Sequence, residues 1–322
     1  MTPPADTPAA STEHPAPAAA VDLAASVPAG TEETPFRRLA VDFAASRLAV
    51  LGLVLFAAIL FVAIFAPLLS PQNPYDLAQL DVLDSRLEPG ARSGDGKHVF
   101  WLGTDDQGRD MLSAIFYGLR ISLGVGVIAT LGALALGMTL GLAAAYFGGR
   151  TDSIIMRIAD IQLSFPAILI TLVLLAVLGQ GIDKIIIALL AVQWAYYART
   201  VRSAALVERS KEYIEAATCL ALPARRILFR HLMPNCLPPL IVVATVQVAH
   251  AIALEATLSF LGLGLPITEP SLGLLIANGF TYLLSGKYWI SFFPGVALLL
   301  TIVSINLVGD QLRDVLNPRL QR

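Results

Sequence analysis

The chain has 322 residues, 56% of them hydrophobic and 14% charged, with a mean hydropathy of +0.70 and a formal net charge of −2. That apolar excess exceeds what a soluble domain carries and needs lipid to solvate it, and the charge balance offers nothing to a nucleic acid. Cys219 and Cys236 are too few for a disulfide framework.

Residues 1–35 are rich in Ala, Pro and Thr, carry acids and hold no Lys or Arg. Such a segment buries too little surface to offset chain entropy and reads as a disordered cytoplasmic tail. It lacks a basic stretch followed by an apolar core, so the first membrane span is expected to act as the insertion signal.

Residues 36–322 read as one all-α, polytopic domain. A span needs roughly 20 mostly apolar residues, and six stretches qualify: about 48–69, 121–146, 154–178, 185–206, 237–261 and 289–308. Between the first two lies a long loop, 70–120. It ends in Thr104-Asp105-Asp106-Gln107, a capping-box pattern that opens a helix. Leu112, Ile115, Phe116 and Leu119 then recur at helical spacing, so this segment either lies as a helix on the outer membrane face or is a loop end resting on lipid. In the second span Gly132, Gly137 and Gly141 permit close helix packing, within the chain or onto a partner.

The loop at 207–236 is basic and helix-forming. From Lys211 to Ala221 the residues favour a helix, with Glu212 and Glu215 at its start, where acids suit the helix dipole. Leu222-Pro223 interrupts it, and Pro223 opens a second short helix over 223–233, closed by Pro234. Arg225, Arg226 and Arg230 alternate there with Ile227, Leu228, Phe229 and Leu232, the mixed surface of a docking element or of a positive-inside loop.

Within the fifth span Glu255 is the outstanding charge, with His250 one and a half turns earlier. A carboxylate at that depth costs on the order of 3 kcal/mol and must meet a partner or a watery path. Glu255 and His250 are therefore candidates for the translocation path or a subunit interface, against a purely structural hydrogen bond. The loop at 262–288 and the sixth span complete the chain.

Fifteen of the 22 Lys and Arg fall in the tail side of the first span, the loops after the second and fourth spans, and the C-terminal segment. By the positive-inside rule both termini are cytoplasmic. No G-x-x-x-x-G-K-[ST], H-E-x-x-H or G-x-S-x-G occurs, and His14, His98, His231 and His250 lack metal-ligand spacing. An enzyme reading has little support.

Several ordered motifs carry a resemblance. Glu215-Ala216-Ala217, then Ala221, and a stretch ending Arg230-His231-Leu232-Met233-Pro234-Asn235 resembles the EAA loop of permease subunits of ABC importers. The ending is similar to that of the dipeptide and oligopeptide branch. Trp101-Leu102-Gly103-Thr104-Asp105 with Gly108-Arg109-Asp110 resembles the L-G-T-D-x-x-G-R-D signature before that family's second span. Ser259-Phe260-Leu261-Gly262-Leu263-Gly264 and Asn306-Leu307-Val308-Gly309-Asp310 resemble two further signatures. Ala221 stands where the family has glycine, so either a left-handed alanine is strained by roughly 1 kcal/mol or Leu222-Pro223 makes the turn. Met233 replaces the usual leucine, and 266–273 lacks the family's tryptophan.

The resemblance implies a type I ABC importer permease fold and ATP-driven import of di- or oligopeptides across the inner membrane. The chain itself binds no cofactor; ATP and Mg are used by two partner ATPase subunits. It implies a homologous second permease and an extracytoplasmic substrate-binding protein. Glu215, Ala216, Ala217, Ala221, Arg225, Arg226, Arg230 and Pro234 are then the ATPase-coupling residues, and Asp105, Asp106, Arg109 and Asp110 candidate contacts for the binding protein. The rival reading is a secondary transporter or channel driven by an ion gradient, which calls for paired intramembrane charges and inverted repeats.

Overall fold

The computed structural model describes residues 35–76, 80–94, 96 and 98–316; nearly all of the expected tail lies outside them. The chain divides into Met1–Arg38 and Leu39–Arg322, and the second unit is a helical bundle. In chain order the elements begin with α1 (Pro35–Ala44), α2 (Arg47–Ile64) and α3 (Ala66–Leu69). An irregular loop follows, with a 3-10 turn at Val82–Asp84 and an antiparallel hairpin, β1 (Ala91–Arg92) and β2 (Val99–Phe100), in register Ala91 to Phe100. Then come α4 (Met111–Phe147), α5 (Gly149–Leu163), α6 (Ala167–Leu178), α7 (Ile182–Arg209) and α8 (Glu212–Cys219). The last part holds α9 (Ala224–Arg226), a π turn (Ile227–Leu232), α10 (Met233–Phe260), α11 (Leu272–Phe280) and α12 (Trp289–Leu316).

Four helical runs are each long and apolar enough to cross a bilayer: α2, α4, Ala224–Phe260 and α12. Leu48, Leu51, Val54 and Phe61 of α2 are 54–65% exposed, apolar surface that lipid rather than water must cover. The stretch 154–178, expected as one span, is two helices meeting at 92°, a bent pair that gives five candidates by length and composition when it is taken as one span. Pro166 has no N–H to give and excludes helical geometry at Phe165, and the Ser164 N–H closes the first helix on Asp160 O at 3.1 Å. The expected fourth span lies within α7, whose 28 residues would reach about 42 Å. Its second half carries Arg199, Arg202, Glu208 and Arg209, so its apolar content falls short of the other four.

Gly132, Gly137 and Gly141 of α4 pack inside the chain. A Cβ on Gly137 would sit 2.4 Å from Trp194 O, and one on Gly141 2.5 Å from Ala198 O, so α4 and α7 touch backbone to backbone. At the α8 end of the bundle Leu142, Tyr197, Val201, Ile214, Ile227 and Leu232 share one core. At the opposite end Met111, Ile115, Leu119, Leu272, Trp289 and Ile290 share another.

That second core corrects the reading of 104–119. Ile115 and Leu119 are buried against protein, and the segment is the first part of the 37-residue α4 rather than a separate helix on the membrane face. The helix also begins later than the capping box predicts. Asp110 is its N-cap, accepting from Ser113 N–H at 2.8 Å and Ser113 O–H at 2.6 Å.

Candidate functional site

The segment from α8 to the start of α10 is a helical hairpin held on the end of the bundle. Ile214 and Ala217 turn inward onto Ile227, Leu228 and Leu232, while Glu212, Glu215, Ala216 and Cys219, at helical spacing, face outward. Leu220 follows them at 75% exposure. Ala221 carries the turn: its φ is +53°, its N–H donates to Thr218 O at 2.9 Å, and Leu222 N–H donates to Ala217 O at 3.2 Å. This is a Schellman closure with alanine at the left-handed position that glycine usually takes, a strain of about 1 kcal/mol. Leu222 packs on the same core and supplies the hydrophobic contact of the motif.

The second helix does not stop at Pro234. It runs through the π turn into α10, a continuous 37-residue run from Ala224 to Phe260. A π turn takes its hydrogen bonds one residue further on, as Met233 N–H does to Leu228 O, so the missing N–H of a proline can be absorbed at its end. Asn235 Nδ2 donates to His231 O at 2.8 Å and to Tyr213 Oη at 3.0 Å, tying α8 to the root of the span. Tyr213 O–H in turn donates to the Glu208 carboxylate, and Lys211 Nζ lies 2.7 Å from it. Burial, with the hydrogen bond to Glu208 second, pushes the Tyr213 phenol up to about 12, so it stays a donor. Arg225, Arg226, Phe229, Arg230 and Pro234 line an open groove of about 660 Å³ on the outward side. All eight predicted coupling residues thus fall on this one element, with Ala217 alone among them buried.

From Thr104 to Asp110 the signature is a hydrogen-bonded knot. Thr104 Oγ1 donates to Asp84 O at 2.6 Å and accepts from Leu87 N–H at 2.7 Å. Asp105 accepts from the backbone N–H groups of Gln107 and Arg109, each at 2.9 Å, and from Arg109 Nε at 2.6 Å. Both side chains of that ion pair are at most 1% exposed. Arg109 Nη1 reaches Ile267 O at 3.3 Å and Trp289 Nε1 donates to Thr104 O at 3.3 Å, so three distant segments meet here. Gly108 has φ +77°, and any Cβ there would sit 2.2 Å from Asp81 O. Burial of Asp105, Arg109 and Asp110 corrects their expected role as binding-protein contacts; of the four, Asp106 alone retains partial exposure.

Glu255 is fully buried within the chain. Its two carboxylate oxygens accept from Ser122 O–H and Ser259 O–H, each at 2.8 Å, joining α4 to α10. His250 points elsewhere, exposed on a stripe of α10 with Val246, Thr257 and Phe260. Helical geometry separates residues five apart by about 140°, which puts the two on different faces. Two buried polar residues escaped the sequence reading: Gln193 Nε2 approaches Gln247 O at 3.5 Å where α7 meets α10.

Comparison with known proteins agrees with this geometry. Residues 137–322 match the family model described as binding-protein-dependent transport system inner membrane component, and residues 34–89 match the N-terminal TM domain of oligopeptide transport permease C. The dipeptide transport system permease protein of Escherichia coli is 40% identical over 85% of this chain and 90% of its own length. A dipeptide transport system permease protein of Alkalihalophilus pseudofirmus is 38% identical, covering 86% and 87% respectively. The oligopeptide transport system permease protein of Bacillus subtilis is 38% identical, covering 86% and 88%. Among solved structures, an inward-facing form of the MetNI methionine ABC transporter superposes on 64% of this chain and 98% of its own chain, with a TM-score of 0.52 and 20% identity.

Proposed function

The chain belongs to the family of binding-protein-dependent transport system inner membrane components, and from that membership we propose how it works. It is a permease subunit of an ABC importer for dipeptides or oligopeptides, a multi-pass component of the inner membrane without an ATPase site of its own. Import is driven by two ATPase subunits, which bind ATP and Mg, and a homologous second permease completes the path as a heterodimer. An extracytoplasmic binding protein delivers the substrate. α7 and the bent pair α5 and α6 complete six spans in a type I importer fold, with both termini and α8 on the cytoplasmic side.

One observation carries the coupling assignment: α8 buries Ile214 and Ala217 in the bundle core while Glu215, Ala216 and Leu220 project from it. A load applied to the projecting face reaches α4, α7 and α10 through packed side chains, because that core contains residues of all three. The continuous run from Ala224 into α10 then carries the motion into the membrane. Binding-protein contacts fall to exposed apolar residues of the opposite end, Val82, Leu83 and Trp101.

The test is a paired charge reversal, Glu215→Arg with Arg226→Glu, in the purified complex. Both residues are exposed, so the melting temperature should stay unchanged. Substrate-stimulated ATP hydrolysis should fall to the unstimulated rate; normal stimulation would remove the docking assignment.

A further inference from the structure

On the end of the bundle opposite α8, a pocket of about 460 Å³ opens between α11, the segment after α10 and the turn before α7. Its size is that of a small-molecule site. Phe260, Leu265, Leu274 and Ala277 make apolar walls, and Asp106 and Asn278 stand in the lining.

Those two polar groups have nothing to do in the fold. Asp106 Oδ1 and Asn278 Nδ2 are buried atoms without a hydrogen-bond partner among the described residues. A buried acceptor and a buried donor left open normally find a partner from outside. Asp106 forms no ion pair within contact distance among the described residues, although the Arg109 and Arg86 charges both act on it. The nearby guanidinium of Arg109 is committed through Nε to Asp105 and through Nη1 to Ile267 O. Burial, and next the Asp105 charge, hold the Asp106 carboxyl above its usual range, a cost that a cation brought against it would offset.

We propose that this pocket binds the amino end of a short peptide, with Asp106 accepting from its terminal ammonium and Asn278 Nδ2 donating to the adjacent carbonyl. The first side chain packs on Leu265, Leu274 and Ala277. A carboxylate beside an amide donor fits that pair of groups, a cation next to an acceptor, and rejects an isolated anion. The choice of a peptide rather than another primary amine rests on the import reading above. The site is distinct from the coupling element, and it would hold substrate on the entry side of this subunit.

The experiment uses the complete complex in nanodiscs without the binding protein, titrated calorimetrically with alanyl-alanine and with N-acetyl-alanyl-alanine. The free dipeptide should bind, and acetylation or Asp106→Asn should each weaken binding roughly tenfold or more, the worth of one charge-assisted hydrogen bond. Asp106→Glu should recover part of the affinity, and Ala277→Phe, which keeps the carboxylate and fills the volume, should abolish binding. Equal affinity for the acetylated probe, equal affinity in Asp106→Asn, or no binding at millimolar dipeptide would overturn the proposal. Impaired capture of the binding protein by Asp106→Asn, without dipeptide binding, would overturn it too and assign the carboxylate to a protein contact. ATP-driven uptake that persists in any of these cases leaves the import reading intact.

Discussion

Asp105→Ala should destabilise the chain by about 3–5 kcal/mol, the range for breaking a buried ion pair by removing one partner. The reason is what remains. Arg109 keeps its charge, is 1% exposed, and would lose the acceptor of its Nε, while its Nη2 has no partner among the described residues. The backbone N–H groups of Gln107 and Arg109 would lose their acceptor as well, opening the tight loop around Gly108. Asp105→Asn keeps an acceptor and removes the charge, so it should fall between wild type and alanine. Trp289 reports on the same knot through its bond to Thr104 O, so its fluorescence should shift along with the melting temperature of the detergent-solubilised protein. A loss below about 1 kcal/mol would mean the pair behaves like a surface salt bridge, and the knot would not be structural.

Gly137→Leu should be comparably severe, at about 3 kcal/mol or more, because overpacking here meets backbone rather than a movable side chain. The first added carbon already lies 2.4 Å from Trp194 O and 2.5 Å from Tyr197 Cβ, so α4 and α7 must separate. Gly124→Leu provides the control. It sits in the same helix, gains the same helix propensity, and has nothing within 4 Å of its Cβ position. Thermal unfolding in one detergent should show Gly137→Leu sharply destabilised and Gly124→Leu at or above wild type. Equal behaviour of the two would mean that α4 and α7 do not pack as described.

Most of the membrane-embedded architecture was legible because a span satisfies its own backbone and announces itself by apolar length alone. What failed was local grammar whose partners lie far away. The Thr104 to Gln107 pattern reads as a cap, yet Thr104 spends its hydroxyl on Asp84 and Leu87, 20 and 17 residues upstream. Two prolines read the wrong way round, Pro166 as part of one span and Pro234 as a helix end. The first ends a helix and bends a span; the second sits at the end of a π turn and ends nothing. Glu255 could not be assigned from its span because one of its two serine donors, Ser122, is 133 residues away.

The segment proposed to couple was legible as a pair of helices, for the charge pattern and the Leu222-Pro223 break are local. Its registration was not. Only the fold shows that Ile214 and Ala217 are the buried side, and that the alanine at 221 takes the left-handed turn instead of Leu222-Pro223. The pocket was not legible, since 172 positions separate Asp106 from Asn278 and the sequence offered Asp106 only as a candidate binding-protein contact.

Uptake of labelled dipeptide into proteoliposomes tests the central claim most directly. With the second permease, the ATPase subunits and the binding protein present, internal label should accumulate when ATP is supplied to the α8 side. It should vanish when the ATPase subunits are omitted, even with a proton or sodium gradient imposed. Gradient-driven uptake by this chain without ATPase subunits would contradict the account and make the protein a secondary transporter.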